Sequence, residues 1–247
     1  MKEALIYLLA ITVAETVTVL AQPLLGIVCH ILIFVSVIFR AALDNKQTHH
    51  QQLLLSLALV PLVRIISLSM PLANIPQVWW YPIIYVPLLV ATLQVVRILG
   101  YRLEQIGLNF RKIRIQLVVA LTGVAFGVAE YFILTGEAEA TALVLQKTWL
   151  LSAFLLMACT GFAEELIFRG VLQRSAEEAF GWWGIVYVSL LFAIVHLIHR
   201  SLIDIAFVFI VALFFGWVVK KTGSLFGVAL AHGVANIVLF LVVPSLF

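Results

Sequence analysis

Charged residues are scarce in this 247-residue chain, and their scarcity decides its class. Lys, Arg, Asp and Glu together make up 11% of the residues, whereas 64% are hydrophobic. A soluble domain typically contains about 25% charged residues, and it could not cover this much apolar surface with polar groups. The composition therefore excludes a water-soluble fold and predicts a polytopic membrane protein with the lipid bilayer as its solvent.

Other absences narrow the possibilities further. The chain has only two cysteines, Cys29 and Cys159, both in apolar runs, so buried inert thiols are the simplest interpretation. Its net charge is only +3, which gives no indication of nucleic-acid binding. No small-residue cleavage pattern follows the first apolar run, which Glu15 interrupts, and we therefore interpret this run as a retained helix.

Apolar runs long enough to cross a bilayer recur along the whole chain. A hydrocarbon core of about 30 Å takes about 20 helical residues at about 1.5 Å each. We find such runs at 3–21, 24–42, 52–71, 77–98, 115–135, 147–174, 182–199, 202–219 and 223–244. The first two are short and closely joined around Pro23. The sequence therefore predicts an all-α integral membrane bundle of eight to nine transmembrane helices.

The basic residues are distributed unevenly between the loops, which predicts the orientation. With a cytoplasmic N-terminus, 12 of the 15 Lys and Arg residues fall on the cytoplasmic side, five of them in the 97–114 stretch. These twelve are Lys2, Arg40, Lys46, Arg97, Arg102, Arg111, Lys112, Arg114, Arg169, Arg174, Lys220 and Lys221. We interpret 97–114 as a basic interfacial loop with a short amphipathic helix.

Ionisable residues within apolar runs are costly and therefore mark candidate functional sites. Three predicted helices carry polar residues at a similar depth of about 14–21 Å, counted at 1.5 Å per residue. They are Glu164 on one helix, His196 on the next, and His232 with Asn236 on a third. Since four polar groups from three helices share one level, the sequence predicts that they form a common site.

Helical spacing predicts how the other charges are held. Glu165 and Arg169 are four residues apart, so they share a helix face and are expected to form an ion pair. Phe192 has the same spacing to His196, and its ring is expected to lie against the imidazole.

The remaining intramembrane charges lie outside this set. Glu15 and Arg64 both lie about 18 Å deep, and we expect them to pair between the first and third runs. Glu130 has no evident partner in the sequence and is expected either to be protonated or to face an aqueous cleft. Gly123 and Gly127 indicate a close helix–helix contact.

The set of candidate site residues suits peptide hydrolysis. A glutamate with a histidine can activate water as a general base, and one of the two can then protonate the leaving amine. A second histidine and an asparagine amide are suitable donors to a developing oxyanion. One Glu and two His are also a known zinc set, and the spacing does not separate a zinc enzyme from a metal-free one.

Three motifs on successive apolar helices carry a family resemblance. They are EELIFR at 164–169, FAIVH at 192–196 and HGVAN at 232–236. In this order they resemble the CAAX protease and bacteriocin-processing family of intramembrane endopeptidases, which includes the type II CAAX prenyl endopeptidases. The similar core is about 114–247, so we divide the chain into N-terminal transmembrane helices with the basic loop, 1–113, and a catalytic core, 114–247.

The resemblance implies a role for each residue. Glu164 would activate water with the assistance of His196, His232 and Asn236 would bind the oxyanion, and Glu165 with Arg169 would support the site, together with Phe192. It also implies a membrane-associated protein or peptide substrate and a bacterial inner-membrane location. Metal use stays open: zinc is an alternative, and the metal-free mechanism is favoured because Asn236 suits an oxyanion donor better than a ligand.

Two other functions fit part of the pattern. Chains of Glu and His also relay protons, so a proton-coupled transporter is one alternative, although the sequence has no internal repeat. A non-catalytic immunity or binding protein that has kept the same fold is the other.

Overall fold

A computed structural model describes residues 2–44, 48–70 and 72–246, and no strand occurs in these ranges. Ten helices with short connecting turns make up the described chain. They are α1 (Lys2–Leu20), α2 (Pro23–Leu43), α3 (His49–Ser69), α4 (Gln77–Leu99), α5 (Ile113–Ile133), α6 (Thr135–Leu145), α7 (Gln146–Phe180), α8 (Trp183–His199), α9 (Leu202–Thr222) and α10 (Phe226–Ser245).

Eight of the described helices are long and apolar enough to cross a membrane, all except α6 and α8. This confirms the predicted all-α bundle of eight to nine transmembrane helices. The shorter ninth helix is α8, rather than a segment near Pro23, because α1 and α2 are both full-length. The outer faces of the long helices carry large exposed apolar side chains, such as Leu9 of α1, Leu24 of α2 and Leu121 of α5, which is the surface expected against lipid.

Two stretches between the spans differ from expectation. The 97–114 stretch contains only one 3₁₀ turn, Leu103–Ile106, so the prediction of an amphipathic helix there is wrong. The physical reason is glycine: Gly100 (φ 69°) ends α4 and Gly107 (φ 81°) ends the turn, both in the left-handed conformation. The additional helix α6 fills the segment between α5 and α7, where no helix was predicted. Lys46 lies outside the described residues.

The small residues of α5 bring it into close contact with α10. A Cβ at Gly123 would collide with the carbonyl oxygen of Ala231, and one at Gly127 with that of Ala235. The predicted glycine contact is therefore present, and its partner is α10. Because α10 carries His232 and Asn236, this contact helps to set the position of both side chains.

The predicted ion pair between Glu15 and Arg64 is present and buried. Arg64 Nε lies 2.6 Å from Glu15 Oε1, and His30 Nε2 lies 3.5 Å from the same oxygen. The pair also reaches a third region, because Arg64 Nη2 donates a hydrogen bond to the carbonyl of Val195 in α8. The first three helices are thereby connected to the residue that precedes His196.

Candidate active site in the helix bundle

The middle of α7 departs from α-helical geometry. Leu156–Glu164 and Leu166–Leu172 are π-helical, with backbone hydrogen bonds that reach five residues back instead of four. A Cβ at Gly161 would lie 2.7 Å from the backbone of Gly233, so α7 and α10 are in direct backbone contact here. π-Helical segments are rare in proteins, and many of those that occur lie at functional sites. This one contains Glu164, and α10 carries His232 beside it.

The four predicted site residues line one cavity. Its volume is about 170 Å³, and Glu164 of α7, His196 of α8, and His232 and Asn236 of α10 all contribute to its wall. Phe192 lines it as well. The structure thus brings together residues that are separated by up to 72 positions, as the matched depths predicted. Their catalytic roles stay predictions.

Glu165 holds two partners behind this cavity. Its Oε1 accepts a hydrogen bond from Arg169 Nη1 at 3.0 Å, which is the predicted ion pair, and another from His232 Nδ1 at 2.9 Å. Glu165 and Arg169 are both buried. Because a carboxylate only accepts, His232 Nδ1 is the donor, and its Nε2 is the ring atom left for other contacts. The sequence did not predict this bond between α7 and α10.

Glu164 has one oxygen bound and one accessible. The hydroxyl of Tyr85, on α4, donates a hydrogen bond to Glu164 Oε1. Oε2 lies 3.9 Å from His232 Nε2, which is longer than a hydrogen bond, and the side chain keeps 18% of its surface exposed. The carboxylate is therefore fixed on the Tyr85 side and accessible on the other.

The imidazole of His196 is held in one tautomer. Its Nδ1 donates to the backbone carbonyl of Phe192 at 2.8 Å, so in the neutral ring Nε2 carries the lone pair. The predicted contact with the Phe192 ring is present, with centroids 4.9 Å apart. The same ring packs against the guanidinium of Arg169, whose Cζ is 4.2 Å from the centroid. Phe192 thereby contacts both the cavity and the buried ion pair.

Asn236 is oriented by a short chain of hydrogen bonds. Its Nδ2 donates to Thr160 Oγ1 at 2.8 Å, and Thr160 Oγ1 donates to the carbonyl of Leu156 at 2.5 Å. An amide nitrogen has two N–H groups, so the second donor is not used by this bond.

Two further ionisable residues line the cavity: Glu130 of α5 and His199 of α8. Glu130 therefore faces a cleft, which is one of the two situations expected for it. His199 was not singled out from the sequence, where it is one of two histidines at the end of the same apolar helix. Its ring centroid lies 5.9 Å from that of His196.

The described residues of this cavity are not arranged as a preformed metal site. No three His, Cys, Asp or Glu side chains within the described ranges lie close enough to share one ion. Zinc needs about three protein donors, each about 2.0–2.2 Å from the ion. His232 Nδ1 is bound to Glu165, so Nε2 is the ring atom that could face an ion, and a carboxylate on the other nitrogen is a common support for a ligating histidine.

We expect Tyr85→Phe to lower kcat about tenfold, because one hydrogen bond to a charged group is lost while the ring is kept. Tyr85 would act as a positioning residue for Glu164, so the pH profile of kcat should shift while KM changes little. Tyr81→Phe is the matched control: it removes a hydroxyl one turn earlier on α4 that makes no such bond. Equal kcat values for wild type and Tyr85→Phe would contradict this role.

Comparison with known families gives one match. Residues 146–238 match the family described as "Type II CAAX prenyl endopeptidase Rce1-like". This range contains Glu164, His196, His232 and Asn236. No curated protein and no solved structure matches the chain. The match supports a protease of the CAAX type and, with the eight apolar helices, an integral membrane protein. Residues 146–238 are thus similar to the Rce1-like family of type II CAAX prenyl endopeptidases, which confirms the resemblance carried by the three motifs.

Proposed function

We propose that this protein is an intramembrane endopeptidase that hydrolyses a peptide bond in a membrane-associated protein or peptide. The observation that carries the proposal is the cavity shared by Glu164, His196, His232 and Asn236 inside an apolar bundle. Water must reach the scissile bond in such a bundle. Ionisable groups are costly there, so those that occur mark a functional site by default.

Glu164 is the proposed general base. Its accessible oxygen takes a proton from water, and the oxygen of that water attacks the carbonyl carbon of the substrate. His196 assists Glu164 in activating the water. It acts through Nε2, the ring atom with the lone pair, since Nδ1 is bound to the carbonyl of Phe192. When the C–N bond breaks, the proton on Glu164 passes to the leaving amine. Water is thereby added across the bond.

His232 and Asn236 are the proposed oxyanion donors. Asn236 offers its second amide N–H, because the first is bound to Thr160. His232 can donate from Nε2 only as the doubly protonated imidazolium, since Nδ1 already donates to Glu165. Donors that are fixed before the reaction stabilise developing charge without reorganisation, and each is worth about 10²–10³-fold in rate.

The side of substrate entry follows from the proposed orientation. We propose that the N-terminus, the basic loop and the end of α7 that carries Arg174 lie in the cytoplasm of a bacterial cell, so that the substrate enters from the cytoplasmic side. We also propose the division into N-terminal helices, 1–113, and a catalytic core, 114–247. The two parts share the site, because Tyr85 of the first part contacts Glu164, the proposed base, in the second.

A proton-coupled transporter is the second candidate. The observation that favours it is the number of titratable groups on one cavity wall, where Glu130 and His199 join Glu164, His196 and His232. The purified protein in liposomes would then move protons with a solute, and Glu164→Gln would abolish that flux without any peptide being cleaved.

The membrane peptidome of cells tests the proposed protease activity. We expect peptides present with wild type to disappear with Glu164→Gln, which keeps the shape of the side chain and removes the base. The uncleaved precursors should accumulate by the same comparison. His196→Ala and His232→Ala should give the same set of precursors, whereas a non-catalytic binding protein would show no change in any of the three. Purified protein must then cleave one of these precursors.

A further inference from the structure

A second cavity lies at the end of the bundle where α7 and α9 terminate. Its volume is about 490 Å³, and it is bounded by these two helix ends and by the loop between α4 and α5. Five cationic side chains line it: Arg102, Arg111, Arg169, Arg174 and Lys220. Three carboxylates line it too, so positive charge is in excess.

Most of the negative charge in this cavity is already engaged. Glu177 accepts from Lys220 Nζ at 2.9 Å, and Glu178 lies 2.6 Å from Arg174 Nη2. Glu104 approaches Arg111 only to 3.9 Å, and both side chains are largely exposed. Within the described ranges, no ion pair is found for Arg102. The cavity therefore keeps cationic groups that its own carboxylates do not neutralise.

Arg169 supplies a separate observation at the wall of this cavity. The residue is only 2% exposed, and its Nη1 is bound to Glu165. Its Nη2 is buried and has no hydrogen-bond partner among the described residues. A buried guanidinium N–H without a partner is costly, so such a group calls for an acceptor. The described residues do not supply this acceptor. Arg169 borders a large polar cavity, and a ligand bound there could supply it.

We propose that this cavity binds an anionic group of the phosphate class, held by Arg102, Arg111 and Arg169. Arginine presents a planar fork of N–H donors that matches phosphate oxygens in pairs. Arg169 would contact the anion through Nη2 while keeping Nη1 on Glu165. The same chemistry is present in the headgroup of an anionic phospholipid and in free phosphate.

The surroundings of the cavity favour a phospholipid as the source. Leu103 and Phe110, on the same loop as Arg102 and Arg111, are 56% and 71% exposed. Large apolar side chains beside a basic cavity at helix ends suit the boundary between headgroups and acyl chains. Basic pockets between helices on the cytoplasmic side commonly hold anionic headgroups. This inference depends on the fold and its orientation and not on the proposed protease activity.

Lipid retention by the purified full-length protein tests the site. The protein is released from nanodiscs of equal phosphatidylcholine and phosphatidylglycerol, and the lipids that remain bound are identified by native mass spectrometry. We expect phosphatidylglycerol to be retained preferentially by wild type. In the double variant Arg102→Ala/Arg111→Ala, this preference should fall by roughly tenfold or more, since hydrogen bonds to a charged group are lost. Both side chains are exposed, so the fold should be unchanged.

The matched control is Arg97→Ala/Arg114→Ala, which removes the same charge from the same basic stretch at residues that do not line the cavity. It should retain phosphatidylglycerol as wild type does.

A second experiment adds millimolar inorganic phosphate to the protein with its bound lipid and also measures the melting temperature. Displacement of the lipid would indicate that free phosphate also occupies the site, and no displacement would indicate that the site takes the headgroup. The proposal is overturned if both phospholipids are retained equally and phosphate does not raise the melting temperature, or if the control pair loses as much as the cavity pair.

Discussion

Glu164→Gln is expected to lower kcat/KM for a cleaved precursor by about 10²–10⁴-fold, the usual contribution of a general base. Glutamine keeps the size of the side chain, and its carbonyl oxygen can still accept the hydrogen bond from Tyr85. It cannot take a proton from water. The measurement is cleavage by purified protein in detergent, with the melting temperature as a check on folding. Glu3→Gln, the same change at a glutamate of α1 that does not line the cavity, serves as the control and should leave the rate unchanged.

A double variant separates one catalytic unit from two independent groups. If Glu164 and His196 act together on the same water, adding His196→Ala to Glu164→Gln should cost little more than Glu164→Gln alone. If the two effects multiply, the histidine has a separate role. Retention of a third or more of the wild-type rate by Glu164→Gln would show that the base lies elsewhere.

Glu165→Ala is expected to destabilise the protein by about 3–5 kcal/mol, because it leaves Arg169 as an unpaired buried charge. It also removes the acceptor for His232 Nδ1. The free energy of unfolding in detergent and denaturant measures this loss. Arg174→Ala provides a matched comparison, since it breaks an i,i+4 pair with Glu178 that is partly exposed, at 42% and 18%. Its cost should be about 1 kcal/mol or less.

Replacing both charges distinguishes stability from catalysis. Glu165→Leu/Arg169→Met should recover most of the stability lost by Glu165→Ala, because no unpaired charge is left in the interior. Cleavage should stay low, since His232 still lacks the partner that fixes its tautomer. Recovery of both stability and activity would mean that Glu165 serves the ion pair alone and does not position His232.

Patterns with a short range in sequence were predictable. The spans follow from apolar runs, since the bilayer sets their length and requires every backbone group to be satisfied within the segment. The ion pair between Glu165 and Arg169 follows from their spacing of one helical turn. Depth along each helix even predicted a long-range pair, Glu15 with Arg64, because each is a costly buried charge that needs a partner.

The contacts that orient the site were not predictable in this way. Tyr85 is one of several aromatic residues in an apolar helix, and nothing in the sequence marks its hydroxyl as the donor to Glu164. The second partner of Glu165 depends on the rotation of α10 about its own axis, which only helix packing fixes. The π-helix in α7 leaves no local signal either, since its residues are as apolar as those of a regular span.

Tyr85 has a consequence for how this protein can diversify. The matched segment, 146–238, does not contain it, and neither does it contain Arg64, which holds the backbone beside His196. A chimera that joined this segment to the N-terminal helices of a relative would inherit the three motifs but not these two supports. Substitutions near Arg64 on α3 or Tyr85 on α4 must therefore be accommodated by α7 and α8. The N-terminal helices and the matched segment are thus expected to evolve together.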